Sequence, residues 1–100
     1  MYDMNNLKKM SKFGELAPKA WEGFLAFDRA ALADGAIPAR TKELIAVAVA
    51  MTTQCPYCIA IHTKRAKQAG CTEAEIAETV LVAAALRAGA AVTHGTHALE

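Results

Sequence analysis

Leu44-Ile45-Ala46-Val47-Ala48-Val49-Ala50-Met51 is the stretch on which the fold turns. It is apolar nearly all round, and in isolation it passes for a buried strand. The length of the segment around it, roughly Ala39 to Thr53, and its alanines favour a buried helix instead. The neighbouring punctuation agrees. Pro38 stands near the start, Thr53-Gln54 makes a turn, and Cys55-Pro56 opens a further helix in which proline takes the first helical position and Cys55 the N-cap. That fourth helix ends at Gly70. Thr72-Glu73-Ala74-Glu75 is a capping box for a fifth helix running to about Arg87 or Ala88. Gly89 and Gly95 bracket a last helical stretch.

Toward the N-terminus, Asp34-Gly35 stops a second helix running from Ala17 or Pro18 to about Leu32. Trp21, Phe24 and Leu25 share a face of it, and Trp21, Phe24 and Phe27 are expected to pack in the core. A first helix is expected within Asp3 to Leu16, with Leu7, Met10, Phe13 and Leu16 as its apolar positions and Gly14 and Pro18 marking its end. No hairpin signal and no lasting strand alternation appear. The expectation is one all-α domain of about five to six helices over residues 1–100.

Composition narrows the function. Eleven basic and ten acidic residues leave a net charge of +1, which gives no electrostatic footprint for nucleic acid. The first ten residues lack the apolar core of a signal peptide, and neither long uncharged run, Leu44 to Ile61 or Thr79 to Leu86, reads as a membrane span. No membrane partner and a cytoplasmic location are therefore expected. Of 100 residues, 23 are alanine and only 6 aromatic. Side chains this small bury little area each, so self-association is expected to bury more.

The chemistry concentrates in Cys55-Pro56-Tyr57-Cys58-Ile59-Ala60-Ile61-His62. With Cys55 at the N-cap, Cys55, Cys58 and His62 fall on one helix face. The positive end of the helix stabilises a thiolate, His62 one turn below Cys58 can trade a proton with it, and a C-x-x-C pair closes a disulfide with little backbone movement. Two competing readings exist for the cluster: plain packing of small residues on a helix face, and a zinc site in which Glu43 supplies a fourth ligand. Glu43 taken alone, as an acidic residue in the first turn of a helix, is ordinarily just favourable to the dipole. Beside the cysteines it can serve as a tuned base. A simple antiparallel hairpin would set it opposite Arg65, so a skewed crossing or a second subunit is needed to bring it to Cys58. Which sulfur attacks is left open by spacing: the dipole favours Cys55, proximity to His62 favours Cys58. Cys71 is expected to be a buried small residue. His94 and His97 are expected to be solvated or at a subunit contact.

Glu43, then Cys55 twelve residues on, then Cys58 and His62, resembles the signature of the AhpD-like alkylhydroperoxidases of the carboxymuconolactone decarboxylase superfamily. Arg40-Thr41-Lys42-Glu43 and Gly70-Cys71-Thr72-Glu73-Ala74-Glu75-Ile76 fit the flanks, and the resemblance spans roughly Ala36 to Gly95. It implies a helical trimer or hexamer and a thiol-dependent peroxidase or disulfide oxidoreductase. Its substrate would be a hydroperoxide or disulfide, its reductant an external dithiol, and it would need no metal or organic cofactor. On the resemblance, Cys58 is the peroxidatic cysteine, Cys55 the resolving and proton-donating one, and Glu43 and His62 the proton relay. The best-studied branch carries a histidine immediately before the second cysteine. Here Tyr57 stands there, and a phenol with a pKa near ~10 is a poorer proton shuttle at neutral pH. Rival readings are a decarboxylase or lactone-processing member of the superfamily, a zinc-binding module and a non-catalytic oligomeric scaffold.

Overall fold

The apolar stretch is a helix. A computed structural model of the chain describes residues 2–100, and among these there is no strand. The α-helices are α1 (Ser11–Leu16), α2 (Pro18–Leu32), α3 (Ala39–Thr53), α4 (Pro56–Gln68) and α5 (Glu73–Gly95), with short 3-10 helices at Met4–Met10 and Thr96–Ala98.

Helix α3 is the centre. It packs against α4 on one side and α5 on the other, while α1 and α2 fold against each other and touch α3 only at an edge. Val47 and Ala66 are fully buried and Cys71 nearly so, with Leu44, Met51, Ile76 and Val80 packed around them. Alanines at the crossings let the backbones approach closely, so the core is thin. Cys71 takes the buried role expected of it. Its backbone N–H reaches Ala66 O at 2.9 Å and that of Gly70 reaches Lys67 O at 3.0 Å. This is the paired closure of a helix end around a left-handed residue, and Gly70 supplies the required φ of +88°.

Three expectations change. The first helix is not a single α-helix: residues Met4–Met10 wind as a 3-10 helix before α1 begins. Leu7, Met10, Phe13 and Leu16 recur every third residue, and a 3-10 helix stacks positions i and i+3. The fifth helix does not stop near Ala88 but runs through Gly89 to Gly95 as one rod. Gly89 carries no positive φ, and its cost of about 1 kcal/mol is spread among strong alanine helix formers. Trp21, Phe24 and Phe27 do not enter the core. Trp21 stacks with Phe13 and with Phe24, each at 5.4 Å between ring centres, but Phe27 is 71% exposed because α2 meets the rest of the chain only at an edge.

The radius of gyration is 16.7 Å, against about 13 Å for a compact chain of this length. The chain is extended rather than closely packed, and α5 is the most apolar of its open faces. Leu81, Val82, Leu86 and Val92 on it are all more than half exposed. By length and composition alone the segment Glu73–Ala98 could cross a membrane, with a mean hydropathy of 1.5 and 6% of its most apolar window buried.

Candidate active site

The site is built where α3 hands over to α4. Gln54 ends α3 in the left-handed region (φ 55°, ψ 47°), an uncommon place for a residue with a Cβ. The chain then runs extended through Cys55 (φ −99°, ψ 100°), and Pro56 starts α4. Cys55 is the N-cap as expected, and it caps with sulfur: Cys58 N–H donates to Cys55 Sγ at 3.3 Å. The two Sγ atoms lie 2.6 Å apart.

That contact separates the two thiols electrostatically. Cys55 is held below the ordinary thiol range, chiefly by the Cys58 side chain, then by the backbone N–H of Cys58 and, more weakly, of Tyr57. Cys58 is pushed up to about 11, first by the same contact, then by burial, then by the charge of Cys55. With Cys55 ionised, Cys58 S–H is the donor between them. The first proton therefore leaves the pair below the usual thiol range and the second only near pH 11.

Glu43 and His62, 19 positions apart, meet within one chain: His62 Nδ1 lies 2.7 Å from Glu43 Oε2. Their side chains are 18% and 12% exposed. Glu43 thus reaches His62, one turn short of Arg65. No second subunit is required. A carboxylate accepts, so Nδ1 carries the hydrogen and Nε2 is left as the lone-pair nitrogen of the neutral ring. Glu43 is not in the first turn of α3, which begins at Ala39. It sits a turn further in, where the dipole contributes little and contact with His62 accounts for its place.

Tyr57, between the cysteines, faces the N-terminus. Its phenol oxygen accepts from Asn6 Nδ2 at 3.1 Å and from Asp3 N–H at 3.4 Å, and its ring lies 5.8 Å from that of Tyr2. Asn6, Leu7, Met10, Tyr57, Cys58 and Ile61 enclose a cavity of about 300 Å³. Sequence reading placed Leu7 and Met10 only on a helix face and missed their approach to Cys58. Nothing local in the sequence signals that contact, since Asn6 and Tyr57 are 51 positions apart.

The remaining candidates stay apart. His94 and His97 meet edge to face at 5.1 Å between ring centres, near the C-terminus. Among the described residues no three His, Cys, Asp or Glu side chains converge as a metal-holding group.

A model of the carboxymuconolactone decarboxylase family matches residues 18–100. The chain belongs to this family. The match is wider than the stretch that carried the resemblance and takes in Glu43, Cys55, Cys58 and His62. It leaves the N-terminal 3-10 helix outside. Among relatives of this carboxymuconolactone decarboxylase family member, an uncharacterized protein of the cox locus of Paracoccus denitrificans is 53% identical over 78 residues. That alignment covers 78% of this chain and 70% of the relative. An uncharacterized protein of Haemophilus influenzae is 43% identical over 93 residues, 93% of this chain and 82% of the relative. A crystal structure from Methanobacterium thermoautotrophicum superposes with a TM-score of 0.82 at 36% identity, covering 88% of this chain and 99% of that one. The apo crystal structure of a carboxymuconolactone decarboxylase family protein from Legionella pneumophila gives 0.79 at 34%, covering 95% and 85%.

Proposed function

We propose that this family member is a thiol-dependent oxidoreductase that reduces organic hydroperoxides through Cys55 and Cys58. One observation carries the reading: two thiols in contact on the first turn of α4, one acidified and one held protonated. The Glu43–His62 pair, on the same face of α4, supports it.

The cycle balances as follows. The Cys55 thiolate takes the Cys58 proton across the sulfur–sulfur contact. The Cys58 thiolate then attacks the terminal oxygen of the hydroperoxide. An S–O bond forms, the O–O bond breaks, and the alkoxide takes its proton from Cys55. Cys58 is now a sulfenic acid and Cys55 again a thiolate. Cys55 attacks the Cys58 sulfur and expels hydroxide. The hydroxide leaves as water by taking a proton that His62, oriented by Glu43, has first picked up from solvent at Nε2. The later reduction by a dithiol releases the one proton that restores the balance. The product is a Cys55–Cys58 disulfide, and an external dithiol returns both electrons. A second reading uses the same pair on a partner's disulfide, with Cys55 as the attacking thiolate. Its acidified sulfur at a helix N-terminus favours this. Both chemistries require a compartment that keeps the pair reduced, and we assign the protein to the cytoplasm.

We also propose that the chain works as a homo-oligomer. The apolar residues along α5 are too many and too exposed for a free monomer surface. Packing of α5 along α3, with Arg87 in its middle, favours a second copy over lipid as what covers it. Light scattering on the purified chain reads the assembly directly.

The deciding experiment counts free thiols on reduced protein before and after one equivalent of an alkyl hydroperoxide, with peptide mapping. Loss of two thiols per chain, mapped to Cys55 and Cys58, is the expected result. Three surviving thiols beside unconsumed peroxide would end the peroxidase reading.

A further inference from the structure

Among the described residues, the larger depressions lie away from the thiols. The shallow depression along Ile59, Thr63 and Lys67 and the groove between α3 and α5 contain none. The cavity of about 300 Å³ at the start of α4 has Cys58 in its wall, and its other apolar surfaces are Leu7, Met10 and Ile61. Two of these three come from the 3-10 helix Met4–Met10, which lies outside the residues 18–100 that the family model matches. What holds that segment is Tyr57, whose phenol oxygen accepts from Asn6 and from Asp3. The phenol of the residue between the cysteines thus engages the N-terminal segment.

We propose that this cavity seats the uncharged organic group of the substrate attacked at Cys58, with Leu7, Met10 and Ile61 as specificity-determining residues and Tyr57 as the positioning residue that anchors the wall. The inference rests on the thiol reading above and names its substrate class: molecules whose reactive end carries an apolar group, not hydrogen peroxide. A cavity of about 150 Å³ holds one benzene ring, so this one takes a group of about ten carbon atoms. No charged side chain lines it, so a carboxylate or phosphate on that group would lose its solvation without a partner. Burying one methylene multiplies affinity by about fourfold when complete. For a half-open cavity the reaction rate should rise about twofold per methylene until the space is full.

The test uses the full chain and two homologous series. Reduced wild-type protein is mixed with linear alkyl hydroperoxides of increasing length, and the second-order rate of Cys58 oxidation is plotted against chain length. In parallel, a Cys55→Ser variant is alkylated with N-alkylmaleimides of the same lengths, each rate normalised to that of glutathione. This arm needs a thiol but no peroxidase chemistry. Both slopes are expected to rise, and both should flatten in Met10→Gln. Met10 is partly exposed, so the change is compatible with folding; Leu7→Gln is the second variant, and circular dichroism checks each. Tyr57→Phe, which keeps the ring but loses the hydrogen bonds from Asn6 and Asp3, should lower the slope part-way. A flat slope for both wild-type hydroperoxide oxidation and maleimide alkylation overturns the cavity while leaving the thiol chemistry standing. Slopes that persist unchanged in Met10→Gln and Leu7→Gln also overturn it, since the organic group then sits elsewhere. A rising maleimide slope without hydroperoxide consumption instead retires the peroxidase reading and keeps the cavity.

Discussion

Helices α4 and α5 begin with the same physical problem and solve it with different atoms. Each first turn has backbone N–H groups without partners and a partial positive charge. At α5 the answer is oxygen: Glu75 N–H donates to Thr72 Oγ1 at 3.1 Å and Thr72 N–H to Glu75 Oε1 at 2.9 Å. Arg40 then clamps the same carboxylate at 2.6 and 2.8 Å. The Glu75 carboxyl is held down to about 2, first by Arg40 and then by the Thr72 backbone, and its charge is used up in structure. At α4 the cap is Cys55 sulfur, a weak acceptor, and the negative charge it stabilises is left available for chemistry. A helix start is a stability device when its anion is locked by a cation and a reactive centre when it is not.

The comparison is sharpest at the relay. His62→Gln or Glu43→Gln is expected to slow Cys58 oxidation by hydroperoxide roughly 100-fold with little change in secondary structure. Stopped-flow rates as a function of pH check this, and a rate within twofold of wild type would remove the pair from the mechanism. Replacing Cys55 by serine frees Cys58 from the contact that raises it to about 11. Its alkylation rate near pH 8 should therefore climb at least about tenfold. An unchanged pH profile would mean that burial, not Cys55, holds the Cys58 proton.

Stability should separate the two starts in opposite directions. Thr72→Ala removes an oxygen cap and is expected to destabilise by about 1 kcal/mol in urea unfolding. Cys55→Ser puts a better N-cap at α4 and should stabilise by roughly 0.5 kcal/mol while abolishing the disulfide. Loss of stability in both variants would erase the distinction. The Glu75 clamp also predicts a pH dependence. Because its folded pKa lies below the ordinary value of 4.5, its contribution is complete above that value. It is lost as pH falls from there toward about 2. Since Arg40 and Glu75 are partly solvated, the effect is modest and shrinks in salt. Wild type and Glu75→Gln should differ at pH 6 and converge near pH 2. The smallest change is expected at Gln54→Gly, where relief of the left-handed φ is nearly offset by the flexibility of glycine in the unfolded chain, for a net gain of at most about 1 kcal/mol.

Much of this molecule is legible in its sequence because the signals are local. Pro56 after Cys55, Thr72 three residues before Glu75, and Gly70 at a left-handed position each specify backbone conformation within one helical turn. They gave the ends of α3 and α4 and the start of α5. The long apolar run of α3 dictated a central helix. The alignment of Cys55, Cys58 and His62 follows from helical periodicity alone. Where the local signal was ambiguous, the reading drifted. The break expected at Gly89 does not occur, because a glycine without a positive φ does not end a helix. The three-residue spacing of Leu7, Met10 and Phe13 suits a 3-10 turn as well as an α-helix.

The tertiary structure decided what depends on how elements cross. Glu43 meets His62 because α3 and α4 pack against each other over Val47 and Ala66, and that packing sets which side chains of the two helices come opposite. The N-terminal segment lies beside Cys58 because Asn6 and Tyr57, 51 positions apart in the chain, are brought together by the tertiary structure. Local conformation is encoded residue by residue, but a contact between distant elements is encoded by all the surfaces that pack between them.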